Sequence, residues 1–176
     1  MAQTKQSNFS DDRQYLESRI EEIYDNRTPL SLILDSIIDP RNIGSLFRLS
    51  DGARIEHIYF YNCEINLNAR HFRKTSRSTN KYLKFSTIDL EEIKSLREKS
   101  NLIAIEKTND SKLYSSFNFE TNTTFILGSE QKGVSQELLD LCKDAVHIPM
   151  LGINTSLNVA NAAAIVIYEF VKKFKY

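Results

Sequence analysis

Cysteine is scarce in this chain: Cys63 and Cys142 are the only two in 176 residues. They stand far apart, with no CxxC spacing and no histidine cluster beside them, which argues against a disulfide scaffold and against the usual zinc sites. Free thiols in a reducing compartment are the simple reading, and no metal is expected. Net charge is missing too, since 23 Lys and Arg balance 23 Asp and Glu. No global field then draws the protein onto nucleic acid or an acidic membrane, so any polyanion contact has to come from a local basic patch. No run approaches the roughly 18 apolar residues of a membrane span, and the opening MAQTKQSNFSDDRQ has no apolar signal core. A cytoplasmic protein with no membrane partner is expected. Also absent are the GxxxxGK[ST] phosphate loop, the GxGxxG dinucleotide turn, internal repeats and low-complexity stretches.

What is present suffices for one domain: 41% of the residues are hydrophobic, enough for a single good core. Ser10 with Asp11 and Asp12 reads as a helix N-cap, and Leu16, Ile20, Ile23 and Tyr24 share one stripe, which predicts an amphipathic helix over 11–25. From Leu30 onward, β-rich runs (LSLILDSI, HIYFYN, LIAIE, TFILG) alternate with helical stretches predicted at 43–53, 68–76, 90–99, 136–142 and 157–173. That alternation predicts a parallel α/β sheet with helices on both faces. The chain divides into an N-terminal helical extension, 1–28, and a main domain, 29–176. The last helix is apolar nearly all round, so it is either a core helix or a core helix that also forms a dimer interface.

Three segments carry chemistry. In SIIDPRNIGSLFRLSDGA a strand ends, Pro40 stops the ladder and a helix opens, so Asn42 and Arg48 stand where open α/β sheets place ligands. Asn42 can donate and accept, and Arg48 offers a planar fork for phosphate. Their structural alternatives are a helix cap for Asn42 and a surface salt bridge for Arg48. In TTFILGSEQKGVS a buried strand enters a turn bracketed by Gly128 and Gly133, with Glu130 between them; a turn holding no ligand also needs such glycines. In HIPMLGINTSLNVANAAA a short strand ends at Pro149 and a glycine loop leads to Ser156, Leu157 and Asn158 at a helix start, where Ser156 has the alternative of a plain N-cap.

The three segments in this order, PxNIGxxxR, LGxExxG and IPMxGxxxSLNV, resemble the SpoU/TrmH-type family of SPOUT RNA methyltransferases over about 30–174. The resemblance implies a deep C-terminal trefoil knot, a homodimer with its site across the two-fold interface, and S-adenosylmethionine as cofactor. It places Leu127, Gly128, Ile148, Met150, Ser156 and Leu157 around that cofactor, with Ile105 on the adenine side. It implies methylation of an RNA ribose 2′-hydroxyl, with Asn42, Glu130, Ser156 and Asn158 as a polar frame and a central role for Arg48. A guanidinium stays protonated at any ordinary pH, so phosphate gripping or polarisation of the hydroxyl suits Arg48 better than base catalysis. Ser129 stands where many members have Asn, and Asn161 replaces a small apolar residue.

Between Glu64 and Asp89 there is no acid, while Arg70, Arg73, Lys74, Arg77, Lys81 and Lys84 concentrate positive charge and Tyr82 offers a stacking ring. This run is either the RNA footprint or a solvated face. Arg13 and Arg19 make the N-terminal helix a second candidate. His57, His71 and His147 are scattered and read as structural or surface residues. Many ribosomal-RNA members carry a substrate domain ahead of the catalytic one; none precedes this domain here, which favours tRNA over rRNA as substrate. Two rivals stand beside this reading. One is a catalytically inactive SPOUT-fold RNA-binding protein or chaperone. The other, a Rossmann-like small-molecule methyltransferase, is disfavoured because the glycine turns lie in the last third.

Overall fold

A computed structural model describes residues 9–63, 66, 68–77 and 79–174. Its centre is a seven-stranded, all-parallel sheet in the order β3-β2-β1-β6-β4-β7-β5. The strands are β1 Thr28–Asp35, β2 Ile55–Tyr61, β3 Phe85–Thr87, β4 Asn101–Ile105, β5 Lys112–Leu113, β6 Thr123–Leu127 and β7 Asp144–His147. The four apolar runs of the sequence form β1, β2, β4 and β6, while the very short β3 and β5 at the two edges escape detection because they have no buried face to pattern.

The helices are α1 Phe9–Glu17, α2 Ile20–Asp25, α3 Pro40–Gly52, α4 Arg70–Ser76, α5 Leu90–Arg97, α6 Gln136–Leu139 and α7 Val159–Phe174. Strand alternation sorts the core into two layers. Leu32, Leu34, Phe125 and Leu127 pack with Phe47 of α3 and Ile167 and Phe170 of α7. Ile33 and Ile126 point the other way, toward Ile93 of α5 and Leu138 of α6. A strand covered on both faces buries every residue, as β6 does, its two threonines included. The expected α/β sheet with helices on both faces is therefore what the chain forms.

Four helix starts differ from expectation, among them α4, which opens at Arg70 rather than 68. The N-terminal helix breaks at Ser18–Arg19, where the Ser18 hydroxyl bonds back to the Tyr15 carbonyl, and position 10 lies within α1 rather than ahead of it. α3 opens at Pro40 rather than 43 because Asp39 caps it through the Arg41 N–H and proline fits the first helical position. α7 opens at Val159 because Asn158 Oδ1 accepts from Ala160 N at 3.0 Å, which takes the capping role from Ser156.

Arg27 anchors the helices that precede β1. Its guanidinium lies 4.4 Å from the centre of the Tyr24 ring and donates to the carbonyls of Ile55 (2.9 Å) and Tyr82 (3.0 Å). Tyr24 stacks on Tyr82 with centroids 6.1 Å apart and hydrogen-bonds Asp51. Arg27→Ala leaves two half-buried carbonyls without donors and removes a cation from a ring face, at an expected cost of about 1–3 kcal/mol. Urea unfolding checks this: a midpoint equal to wild type would show that the anchor contributes nothing.

Candidate active site

The carboxyl ends of β4, β6 and β7 surround a cleft of about 400 Å³. Ile105, Leu127, Gly128, Ile148, Met150, Ser156 and Leu157, the residues expected around a cofactor, all line it. Val146 and Val159 add to the apolar lining, while Glu106, Lys107, Glu130, His147 and Asn158 make the rest of it polar.

The loop after β6 owes its shape to two glycines. Ser129 and Gly133 exchange backbone hydrogen bonds of 3.1 and 2.9 Å, closing a tight turn that holds Glu130. Gly133 has φ +68°, where a side chain is strained, and a Cβ on Gly128 would lie 2.0 Å from the Gly133 carbonyl carbon.

Asn42 joins this loop to the start of α7. Its Nδ2 donates to Glu130 Oε1, and its Oδ1 accepts from Asn158 Nδ2 at 2.9 Å. Asn158 in turn caps α7, so one chain of hydrogen bonds runs from the helix end through Asn42 to the Glu130 carboxylate. Asn42 is only 9% exposed with both ends of its amide in use, so it orients Glu130 and is not a helix cap. Ser156 is exposed and lines the cleft.

Arg48 stands apart. It lies seven residues after Arg41 and three after Ser45, on the exposed face of α3, and does not line the cleft. Among the described residues it has no ion pair, so it is not a surface salt bridge.

Arg70, Arg73, Lys74 and Lys81 line a separate open cleft of about 740 Å³ together with Asn68, Ser76 and Asn80. None of these cations has an acidic partner among the described residues. Arg77 does not line this cleft; it ends α4 in the left-handed region at φ 50°. α4 sits tightly on α3, since a Cβ on Gly44 would meet Thr75 Oγ1 at 1.9 Å. Tyr24 stacks on one side of the Tyr82 ring. Arg13 and Arg19 are paired with Glu17 and Glu22, which cancels the charge that made the N-terminal helix a second candidate.

Of the histidines, His57 bonds Ser86 at 2.9 Å and stacks on Tyr59, and burial lowers its pKa. His147 lines the cleft, with Nδ1 engaged by Ser111 Oγ at 3.0 Å. Burial pushes the Cys63 thiol up to about 11 and Cys142 up to about 12, so both are neutral thiols near pH 7.

Sequence reading missed two acids. Asp35 ends β1 and Glu106 follows β4 directly, and each accepts a backbone N–H from the loop after β6. The signal was an acid closing an otherwise apolar strand run, LILD and LIAIE.

The fold of this chain is shared with solved RNA methyltransferases. The AdoMet-bound rRNA methyltransferase from Sinorhizobium meliloti superposes with a TM-score of 0.77 at 20% identity, over 88% of this chain and 61% of that one. The A. aeolicus TrmH/SpoU tRNA modifying enzyme gives 0.76 at 20% identity, over 90% and 84%. The SpoU rRNA Methylase family profile matches residues 29–168, and the chain belongs to that family. It is 30% identical over 155 residues to the tRNA (guanosine(18)-2'-O)-methyltransferase of Thermus thermophilus, covering 86% of this chain and 79% of that protein. It is 29% identical to the 23S rRNA (guanosine-2'-O-)-methyltransferase RlmB of Blochmanniella floridana, of which it spans 60%.

Proposed function

We propose that this protein methylates the 2′-hydroxyl of an RNA ribose, with tRNA favoured over rRNA, and that it works as a cytoplasmic homodimer. The observation that carries the reading is the hydrogen-bond chain Asn158–Asn42–Glu130 on the rim of a cleft walled by Leu127, Gly128, Ile148 and Leu157.

The cleft suits S-adenosylmethionine. Its volume of about 400 Å³ falls within the about 300–1,000 Å³ of small-molecule sites. Ile105, Leu127, Ile148 and Leu157 offer apolar surface for an adenine, and Gly128 and Gly133 let the loop after β6 fold tightly beside it. We place Ile105, Leu127, Gly128, Ile148, Met150, Ser156 and Leu157 around the cofactor, and the family's trefoil knot in the two loops that border the cleft. When bound, the cofactor supplies an electrophilic methyl group on a sulfonium, and the protein supplies orientation.

Glu130, fixed by Asn42, and Asn158 then frame the ribose, with the Ser156 hydroxyl facing into the cleft. Arg48 grips the adjoining phosphate, and Arg70, Arg73, Lys74, Arg77 and Lys81 hold the flanking backbone. Arg48 is exposed and does not line the cleft of its own chain, and we assign it to the cleft of a second copy. The exposed α7 stripe of Ile165 and Tyr168, with Leu157, Leu151 and Ile153 beside it, supports that pairing.

The test is labelled S-adenosylmethionine with total RNA, followed by mapping of 2′-O-methyl positions. Transfer to a discrete ribose is the expected result. Binding of cofactor and RNA without transfer would instead make the protein an inactive RNA-binding relative of the enzymes.

A further inference from the structure

We propose that Asp35 and Glu106 form a two-carboxylate clamp on the loop after β6, acting as positioning residues for Glu130 and the cleft wall. The clamp's consequence rests on the methyl-transfer reading above; its existence rests on geometry.

In the sheet, β6 lies between β1 and β4. The loop that leaves β6 is gripped by one acid from each flanking strand. Val134 N donates to Glu106 Oε2 at 3.1 Å, and the next amide, Ser135 N, donates to Asp35 Oδ2 at 2.7 Å. These two N–H groups stand just ahead of α6, where no helical carbonyl can take them. Charged acceptors make the bonds stronger than neutral ones.

The glycines fit the same device. A Cβ on Gly133 would lie 2.3 Å from Glu106 Oε2, so glycine there makes room for the carboxylate. Gly133 also closes the turn that carries Glu130. Pinning Val134 and Ser135 therefore fixes one end of the turn, while Asn42 fixes its acidic side chain. Glu106 itself borders the cleft, so a loosened clamp displaces the wall there.

The two acids differ in their second contact, and the difference makes the clamp testable. Glu106 Oε1 accepts from the Lys107 N–H at 2.9 Å, so both its oxygens face amide donors. Glu106→Gln keeps size and shape but sets an NH₂ against one of those donors, whichever way the amide turns. Asp35 Oδ1 instead accepts from the Ser36 hydroxyl at 2.9 Å, and a hydroxyl can rotate to accept from an asparagine NH₂. Asp35→Asn therefore keeps its oxygen on Ser135 N. Asp35 is the deeper residue, at 1% exposure, so a role limited to general stability predicts the opposite ranking.

The experiment is amide hydrogen exchange on the full chain without ligand, together with titration by S-adenosylhomocysteine. In Glu106→Gln we expect exchange across 128–135 to quicken about tenfold and the dissociation constant to rise about tenfold, the scale of one charge-assisted hydrogen bond, with β1 and α7 protected as before. Asp35→Asn should show the smaller change in both. Wild-type exchange in Glu106→Gln, faster exchange spread over the whole chain, or a larger effect from Asp35→Asn would each overturn the clamp. If wild type fails to bind S-adenosylhomocysteine while Glu106→Gln still loosens 128–135, the clamp stands and the methyl-transfer reading falls.

Discussion

Arg48→Ala is expected to lower methyl transfer by about 10²–10³-fold, the usual loss when one charged donor leaves a reacting centre, with melting temperature and S-adenosylhomocysteine binding unchanged. The side chain is exposed and has no internal partner among the described residues, so its removal breaks no contact within the chain. Exposed substitutions of that kind stay within about 0.5 kcal/mol in stability. Arg48→Lys keeps the charge but loses the planar fork and should fall between wild type and alanine. The position of Arg48 on the outer face of α3 sharpens the prediction. If it serves the partner's cleft, co-assembling Arg48→Ala with Glu130→Gln yields mixed dimers with one intact site each. Random pairing then restores about a quarter of wild-type activity, although neither variant is active alone. No restoration would place Arg48 in its own cleft and remove the argument for a shared site.

The parts of this protein that were legible in the sequence are those where a local pattern has one physical cause. The β-rich runs of β1 and β6 read as buried strands of a parallel sheet, and helices do cover that sheet on both faces. The residues expected around a cofactor do converge on one cleft, although they lie on four separate stretches of chain. The features that escaped depend on long-range partners. Nothing near Asn42 in sequence says that its amide spans Glu130 and Asn158, which are 88 and 116 residues away. Tyr82 gave no sign in sequence of Tyr24, which stacks on one side of it from well before it in the chain. The pairing of Arg13 and Arg19 was legible nearer by: each has an acid three or four residues on, the spacing that pairs charges along a helix. The clamp acids hid among apolar strand residues, where a carboxylate reads as the strand's end until the loop that it holds is placed beside it.

Gly128→Ala is expected to abolish cofactor binding, with at least a hundredfold rise in the dissociation constant for S-adenosylhomocysteine. The added methyl would lie 2.0 Å from Gly133 C, 2.1 Å from Val134 N and 2.3 Å from Gly133 O. All three are main-chain atoms, so no side chain can rotate out of the way. Relief requires opening the Ser129–Gly133 bridge, pulling Val134 off Glu106, or both. Either movement shifts Glu130 and reshapes the cleft wall. The loop borders the open cleft, so it can yield outward more cheaply than the core can, and stability should fall by only about 1–3 kcal/mol, or roughly 2–12 °C in melting temperature. Gly152→Ala is the matched control, since nothing lies within 4 Å of the added atom and the residue does not line the cleft. A thermal melt and a ligand titration on both variants separate the cases. Retained binding in Gly128→Ala would mean that the turn accommodates a side chain, and that the bare main chain at this position is not what receives the cofactor.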